Sequence, residues 1–474
     1  MKRVLVPTVF ALLLIAGCSS SDSNATDEEI VNDTATADAD AFDDPTDQPD
    51  LSEVEGSDDL TDDTLIGEDA DEMPDTDEPE FLSGFDTTGK TCLTDIPEGR
   101  IILATAKDYT DSEAPWRVYV LVLKDDGTLI DTGSYFDTDK TLEGIGFNAN
   151  GRLAAVSSWD TGFVTLFALV GRTLCIAETG IVLPNLAENE RVIFDQITAD
   201  PADPYRFYLT YGNPITTDQY SNYSGGIYTM TVDDTGHATI LTDHPAMHVP
   251  TAFTPLPGGT LAVALGGKEF ILDEGSSLGT AGPDDLALLS ISTNTPEVLQ
   301  WFDVWGTPGA NGSGPSVKNI GVDGGGNLLI ANSSEYAEDT GVIKLLSYDG
   351  GTGTMTTQAE FLDATNLDSP DYLVLNNAGD TAVVMNGYFK GATLGITADA
   401  ITYVKKETHD LTQPMIKLHG APFVDHVLIS SFHSSNDESG SITIAEITAE
   451  GLVEVSSTQV PLSDSYMLDN LTVQ

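Results

Sequence analysis

The sequence predicts an all-β fold assembled from seven copies of one four-stranded unit. Three observations carry this. From residue 100 onward the chain reads as short alternating or apolar runs broken by Gly, Asp, Asn and Pro, and almost no segment keeps a helical period through three turns. A turn followed by an apolar strand recurs, clearest at Asn150–Gly151–Arg152–Leu153, Gly258–Gly259–Thr260–Leu261, Gly326–Asn327–Leu328 and Gly379–Asp380–Thr381, with weaker copies from Tyr205 and Asp425. These second strands begin near 101, 153, 206, 260, 328, 381 and 426, a spacing of roughly 54 residues, which is the period of a four-stranded propeller blade. The first copy lacks an innermost strand, and the chain ends in an orphan strand, Leu468 to Gln474. That strand can complete the first blade and remove an open edge. The expected fold is a seven-bladed β-propeller over 83–474, closed by the C-terminal strand. Two packed β-sandwiches are the rival; they require neither seven matched units nor a terminal orphan.

In chain order, the N-terminus comes first. Met1–Lys2–Arg3 is a short positive region, and Val4 to Ala16 is apolar apart from Pro7 and Thr8. This stretch is too short to span as a mature helix and reads as a signal peptide over 1–17. Leu14–Ile15–Ala16–Gly17–Cys18 resembles the lipobox of bacterial lipoproteins. The resemblance implies cleavage before Cys18 and lipidation of that residue, which would join the protein to a membrane. Ser19 stands where the inner-membrane retention signal places Asp, so an outer-membrane or surface location is favoured. No later stretch reaches 18 apolar residues, so the lipid is the expected anchor.

Residues 18–82 read as a linker. Between 19 and 80 there are 25 Asp and Glu and no Lys or Arg, with Thr, Ser, Ala and Pro filling most of the rest. So little apolar surface cannot offset chain entropy, and like charges repel, so a disordered, extended spacer is expected. It carries no D-x-[DN]-x-[DN]-G calcium loop.

The net charge is −57, which excludes a nucleic-acid binder working through a basic face and argues against docking of the protein surface on anionic lipid. The portion after the linker keeps 51 acids against 17 bases. A surface this acidic resembles proteins adapted to high salt, where mobile ions screen self-repulsion. We take a saline habitat as a hypothesis, which greater stability without salt than in molar salt would contradict.

Aligning the innermost strands exposes a ring of charge. They read Glu143-Gly-Ile-Gly-Phe147, Asp195-Gln-Ile-Thr-Ala199, Val249-Pro-Thr-Ala-Phe253, Lys318-Asn-Ile-Gly-Val322, Asp371-Tyr-Leu-Val-Leu375, His419-Gly-Ala-Pro-Phe423 and Asp469-Asn-Leu-Thr-Val473. The third and fifth places are mostly apolar, as packing at period two demands. The first place is ionisable in six of the seven: Glu143, Asp195, Lys318, Asp371, His419 and Asp469; His248 adjoins Val249 in the remaining one. At one mouth of a central channel, these groups could hold Ca²⁺ or another divalent cation, or a cationic or polyhydroxylated ligand. Alternatively each carboxylate bonds to backbone amides at its own strand start, with Lys318 as counter-ion. His419, His433 and His248 are expected on that same face, where a His pair could ligate a metal or relay protons. His244 and His248 are four apart, but Pro245 argues against the helix of a zincin-type site.

Two loops expected on this face are long. Residues 211–225 carry Tyr211, Asn213, Tyr220 and Tyr223, and residues 266–284 carry Lys268, Glu269, Asp273 and Glu274. Trp159, Tyr336, Tyr388 and Phe432 add aromatics that suit sugar or peptide binding. Gly275–Ser276–Ser277–Leu278–Gly279 matches G-x-S-x-G, but a loop follows where a nucleophile elbow needs a helix. With Cys18 lipidated, Cys92 and Cys175 remain. Outside the cytoplasm they form either one disulfide, clamping the start of the domain to blade two, or two buried thiols; the bond is favoured.

The repeat architecture from about 100 to 474 resembles the seven-bladed propellers of the bacterial YVTN and lactonase-like group, in layout rather than in a diagnostic motif. Glu143–Gly144 is also similar to the metal-binding Glu-Gly of the gluconolactonase–regucalcin family, and Asn319, Asp371 and Asn470 sit at comparable strand starts, where that family places ligands. That family has six blades, and its Pro after Glu-Gly is Ile145 here. The reading that leads on the sequence is a lipid-anchored, extracytoplasmic, non-catalytic module for a protein or carbohydrate ligand, expected as a monomer. The alternatives are a metal-dependent lactone hydrolase and a purely structural envelope protein.

Overall fold

The computed structural model describes residues 81–474 apart from 109–114, 139–141, 159–162, 183–195, 213–224, 242–245, 248–249, 266–285, 305–316, 324, 333–342, 350–351, 362–371, 377, 386–390, 408–414, 421–425, 433–439 and 461–465. The described residues contain strands and turns and no helix. The strands form seven antiparallel sheets.

Sheet one joins Tyr466–Val473 to Arg100–Asp108, Trp116–Leu123 and Leu129–Thr138. Sheet two runs Leu142–Phe147, Leu153–Ser158, Phe163–Val170, Thr173–Val182, with Cys92–Leu93 as a fifth strand on its outer edge. Sheet three has Ile197–Ala199, Arg206–Gly212, Gly225–Val232 and Ala238–Ile240, with Ala246–Met247 also paired to Gly225–Val232. Sheet four has Pro250–Leu256, Thr260–Leu265, Leu286–Ser290 and Glu297–Phe302. Sheet five has Val317–Val322, Leu328–Asn332, Ile343–Asp349 and Thr354–Phe361. Sheet six has Tyr372–Leu375, Thr381–Met385, Gly391–Thr397 and Ala400–Glu407. Sheet seven has Met415–Gly420, His426–Phe432, Gly440–Thr448 and Gly451–Val460.

Burial explains the composition of each strand. Second strands are covered on both faces: Leu153–Ser158 and Thr381–Met385 are buried throughout, so they read as continuous small and apolar runs. Outer strands meet water on one face, and Glu297–Phe302 alternates exposed and half-buried residues. The apolar clusters lie between successive sheets. Phe147, Val156 and Phe167 pack on Leu103 and Val120 of sheet one, while Leu153 and Leu166 pack on Phe207 and Leu209 of sheet three. Ile442 and Ile444 of sheet seven share a cluster with Ile102 and Ala104 of sheet one.

The turn after each inner strand also has a local cause. Asn148 accepts hydrogen bonds at Oδ1 from the backbone of Arg152 and Leu153, both 2.9 Å, and Gly151 adopts φ +69° to close the turn. Asp323 and Asn376 occupy the same place in sheets five and six, each accepting backbone N–H bonds at Oδ1. Such side chains favour turns because they bond to the backbone a few residues on.

Residues 81–99 strap sheets two and three. Phe81 stacks on Tyr205 with ring centroids 4.3 Å apart, and Leu82 donates its N–H to the Tyr205 hydroxyl at 3.0 Å. Lys90 Nζ donates to the Ala177 carbonyl at 2.6 Å. Cys92 stands directly across the ladder from Cys175, and the two form a disulfide spanning 83 residues of sequence. A loop of that length corresponds to about 4.5 kcal/mol in the chain-entropy account.

Candidate functional site

The end of the sheets where the inner strands begin has a feature that period-two reading misses: a β-bulge. Leu142 pairs with Ser158 and Ile145 with Val156, so Glu143 and Gly144 together face Ser157. Register slips by one residue between Pro250 and Ala252, between Val317 and Asn319, and opposite Thr105, where Ala104 pairs with Leu471 and Ala106 with Leu468. The inserted residues in sheets two, five and one include Glu143, Lys318, and Asp469 with Asn470. Bulges bend a strand and re-aim its side chains, and they concentrate next to functional sites.

The structure places each predicted residue as follows. Glu143 lies at the second position of Leu142–Phe147. Lys318 and Asn319 lie in Val317–Val322, and Asp469 and Asn470 in Tyr466–Val473. These inner strands pack in pairs: Leu142–Phe147 beside Ile197–Ala199 and Tyr466–Val473, Val317–Val322 beside Pro250–Leu256 and Tyr372–Leu375, and Met415–Gly420 beside Tyr372–Leu375 and Tyr466–Val473. Asp195, Asp371, His248, His433, Cys18, the residues of the expected loops at 213–224 and 266–284, Trp159, Tyr336, Tyr388 and the G-x-S-x-G match lie outside the described residues, as do the signal peptide and nearly all of the linker.

Two expectations are corrected. His419 does not begin an inner strand. The strand is Met415–Gly420, Met415 pairs with Phe432, and His419 pairs with Leu428. His419 therefore sits at the end of its strand away from Met415, and His433 lies outside the described residues. The run His419 to Phe423 reads as a strand start because Ala421, Pro422 and Phe423 are apolar, but they precede the second strand at His426. In sheet four the residue at the bulge is Thr251, not Val249. Pro255 and Leu256 extend that strand up to a three-residue turn, so alignment on Phe253 begins two residues early.

What the sequence did not flag is the group that closes the bulge. The buried Ser157 hydroxyl lies 2.9 Å from the Gly144 N–H that it accepts and 3.3 Å from the Gly144 carbonyl. One side chain thus bonds both backbone groups of Gly144. In sheet three, whose pairing shows no register slip, the buried Thr210 Oγ1 also accepts a backbone N–H, that of Gln196 at 3.1 Å, while the Gln196 carbonyl accepts the Thr210 backbone N–H at 3.1 Å. Thr105, also fully buried, stands opposite the Asp469–Asn470 bulge. A hydroxyl on an otherwise apolar second strand was the available signal. Gly144 also has a packing cause. A Cβ there would lie 2.7 Å from Ser157 Oγ and 3.2 Å from Ile197 Cγ1, so a larger residue would have to displace the Ser157 hydroxyl, which favours glycine whether or not Glu143 binds anything.

At the other end of sheet three lies a buried charged network. Asp200, 2% exposed, accepts from Arg206 Nη1 at 3.0 Å and from the Tyr208 hydroxyl at 2.6 Å. Arg206 Nη2 meets Asp203 at 3.0 Å. Burial, then the bond to Asp200, pushes the Tyr208 phenol above its ordinary value. The carboxylate is saturated, so this network staples the turn rather than offering a free acid. A cleft of about 730 Å³ opens beside Asp200, Arg206 and Gly258, and another of about 510 Å³ lies among Val118, Phe136, Leu142 and Phe167 between sheets one and two. Neither is lined by a predicted site residue.

Among the described residues no group of three or more His, Cys, Asp or Glu is arranged to hold a metal. The set implied by the resemblance, Glu143, Asn319, Asp371 and Asn470, offers only oxygen donors for a cation, and its described members lie in inner strands at or beside a bulge. An all-oxygen donor set fits a hard divalent cation.

No family model matches the chain, and no curated protein matches it. Solved structures do. A protein from Lactobacillus plantarum is 16% identical, covering 79% of this chain and 100% of its own, with TM-score 0.52. A hypothetical selenium-binding protein from Sulfolobus tokodaii is 10% identical, covering 80% and 94%, with TM-score 0.54. A periplasmic gluconolactonase from Pseudomonas aeruginosa is 13% identical, covering 79% and 98%, with TM-score 0.52. At these identities the likeness is one of fold: the chain is all-β and propeller-like, on a layout shared with a lactonase.

Proposed function

We propose that the protein is a lipid-anchored, extracytoplasmic propeller of seven blades, closed by its C-terminal strand, that hydrolyses a small lactone at the mouth where its inner strands begin. The observation that carries this is the bulge shared by the inner strands of sheets one, two and five, which inserts acidic, amide and basic residues at one end of the fold. The pairing of Tyr466–Val473 with Arg100–Asp108 and the cluster joining sheet seven to sheet one support closure. The fold likeness to a gluconolactonase favours hydrolysis over the non-catalytic reading that leads on sequence alone.

Glu143, Asn319, Asp371 and Asn470 would hold a divalent cation, which when bound polarises a carbonyl oxygen and acidifies a water. Lys318, inserted at the bulge of sheet five next to Asn319 in the chain, would supply positive charge suited to the carboxylate of the product. Water adds to the lactone carbonyl carbon, the ring C–O bond breaks, and the hydroxy acid is released. The lipobox-like run Leu14 to Cys18 supports a location on the outer membrane or cell surface, where the site would face small molecules outside the cytoplasm.

The test is hydrolysis of glucono-1,5-lactone followed by pH-stat, with Ca²⁺ and Zn²⁺ titrated after chelation. Turnover should vanish with chelator and in both Glu143→Gln and Asp371→Asn. Metal binding without turnover, abolished by the same changes, would instead favour a binding module. No metal binding and no turnover would sink the hydrolase.

A further inference from the structure

We propose that the cleft between sheets one and two is a binding site for a small, neutral, ring-containing apolar molecule. The proposal is independent of any metal or hydrolysis at the inner-strand starts. The cleft measures about 510 Å³ and has an apolar floor: Phe136, Leu142, Val156 and Phe167 line it and are each at most 4% exposed. The Phe136 and Phe167 rings lie 5.1 Å apart, tilted by 59°. Toward water, Phe163 and Thr165 are half-buried and Thr179 and Gly180 are exposed, which makes them the lip. Small-molecule sites have this build: about 300–1,000 Å³, mostly apolar walls and a few polar groups. The gap has a cause in sheet two. Val164 pairs with Ile181 but Leu166 with Glu178, so Thr165 stands opposite both Thr179 and Gly180. One step on, Phe167 pairs with Ile176 and leaves Ala177 over. Two bulges in succession bend a strand away from regular packing, and the residues of the first bulge are those of the lip.

The lining selects the ligand. Among the described lining residues Asp137 alone is charged, and its Oδ1 already accepts from Arg117 Nε at 3.0 Å. A carboxylate or sulfonate entering the cleft would therefore lose water with no cation to meet it, and an ammonium would compete with Arg117. The net charge of −57 repels anions further. A neutral molecule has neither cost, and the hydroxyls of Thr165 and Thr179 can donate to or accept from one polar group on it. Phe136, Phe163 and Phe167 favour rings, which pack on them edge-to-face or offset. Protein interiors leave few voids larger than a water, and a dry cavity of about 150 Å³ already takes up benzene. At about three times that volume, the cleft has room for a molecule of two or three rings.

The test is fluorescence titration of the full chain with N-phenyl-1-naphthylamine, a neutral three-ring probe, each reading taken against a blank without protein. Binding should saturate at one probe per chain with Kd on the order of 100 µM or tighter. The matching probe that carries one sulfonate, 8-anilino-1-naphthalenesulfonate, should bind about 10-fold or more weakly. Thr165→Phe, which fills the cleft, should weaken the neutral probe by about 10-fold or more. Ala202→Trp, on the exposed wall of the cleft beside Asp200, should leave its affinity unchanged. If Thr165→Phe fails to fold, Thr179→Trp decides, because it sets a ring across the exposed lip at little risk to the core. No saturable binding, unchanged affinity in the folded Thr165→Phe or Thr179→Trp chain, or an equal loss in Ala202→Trp overturns the site. Equal affinity for the two probes overturns its choice of a neutral ligand. None of these results bears on Ca²⁺ binding or lactone turnover, which are measured separately.

Discussion

Sheets three and six each bury a carboxylate, and they use it differently. Asp200 meets a cation: Arg206 Nη1 at 3.0 Å, with the Tyr208 hydroxyl at 2.6 Å on the same oxygen. Glu407, 6% exposed, meets mainly neutral donors: the Thr393 hydroxyl at 2.6 Å and the backbone N–H of Leu452 in sheet seven at 3.1 Å, with exposed Lys405 at 3.7 Å. The first is a staple within one sheet, holding the turn at 200–206. The second is a pin between two sheets. A buried charge facing a charge cannot be neutralised piecemeal, whereas a carboxylate facing neutral donors can be replaced by any well-placed acceptor.

That contrast can be broken by substitution. Asp200→Asn should be the costliest change, on the order of 3–5 kcal/mol by urea denaturation, because Arg206 would stay buried beside a neutral amide. A loss under about 1 kcal/mol would mean that Asp203 alone satisfies Arg206. Opening the strap comes next: Cys92→Ser, or reduction of the wild type, should remove about 2–4 kcal/mol, read from the same denaturation curves. Glu407→Gln should cost less than about 1 kcal/mol, since an amide oxygen can still accept from Thr393 and Leu452, while Glu407→Ala should cost about 1–3 kcal/mol by stranding the Leu452 N–H. Equal losses for Gln and Ala would show that the negative charge itself matters there.

The smallest effect is a pH dependence. Tyr208 holds its proton in the folded protein above its ordinary value near 10.0. Above that pH the unfolded chain releases the proton and the folded one keeps it, so the unfolded state binds fewer protons and stability falls as pH rises. The contribution is complete below pH 10 and is lost progressively above it. Melting temperature followed from pH 9 to 11 should fall more steeply in wild type than in Tyr208→Phe. Parallel slopes would remove Tyr208 as the cause.

Much of the strand order was legible in the residues. Turn residues followed by apolar runs located second strands at Leu153, Arg206, Thr260, Leu328 and Thr381, because those runs are largely buried and mostly apolar. Inner strands were harder. A bulge breaks the two-residue period on one strand only, and no property of Glu143 or Lys318 announces it. His419 was misplaced because the apolar run Ala421 to Phe423 carries the sequence pattern of a strand, whereas His419 itself stands near the end of Met415–Gly420.

By itself, then, the sequence determined an all-β chain with a strand repeat of about 54 residues, a strongly acidic surface and two cysteines left to pair once the lipobox is set aside. Only tertiary structure decided which residues begin the inner strands, that Cys92 faces Cys175 across a ladder, and that Ser157 closes a bulge at Gly144. The reason is physical. Burial and turn chemistry are written locally, residue by residue, but register is a relation between two strands, and it is settled by whichever pairing leaves the fewest buried backbone groups without a partner.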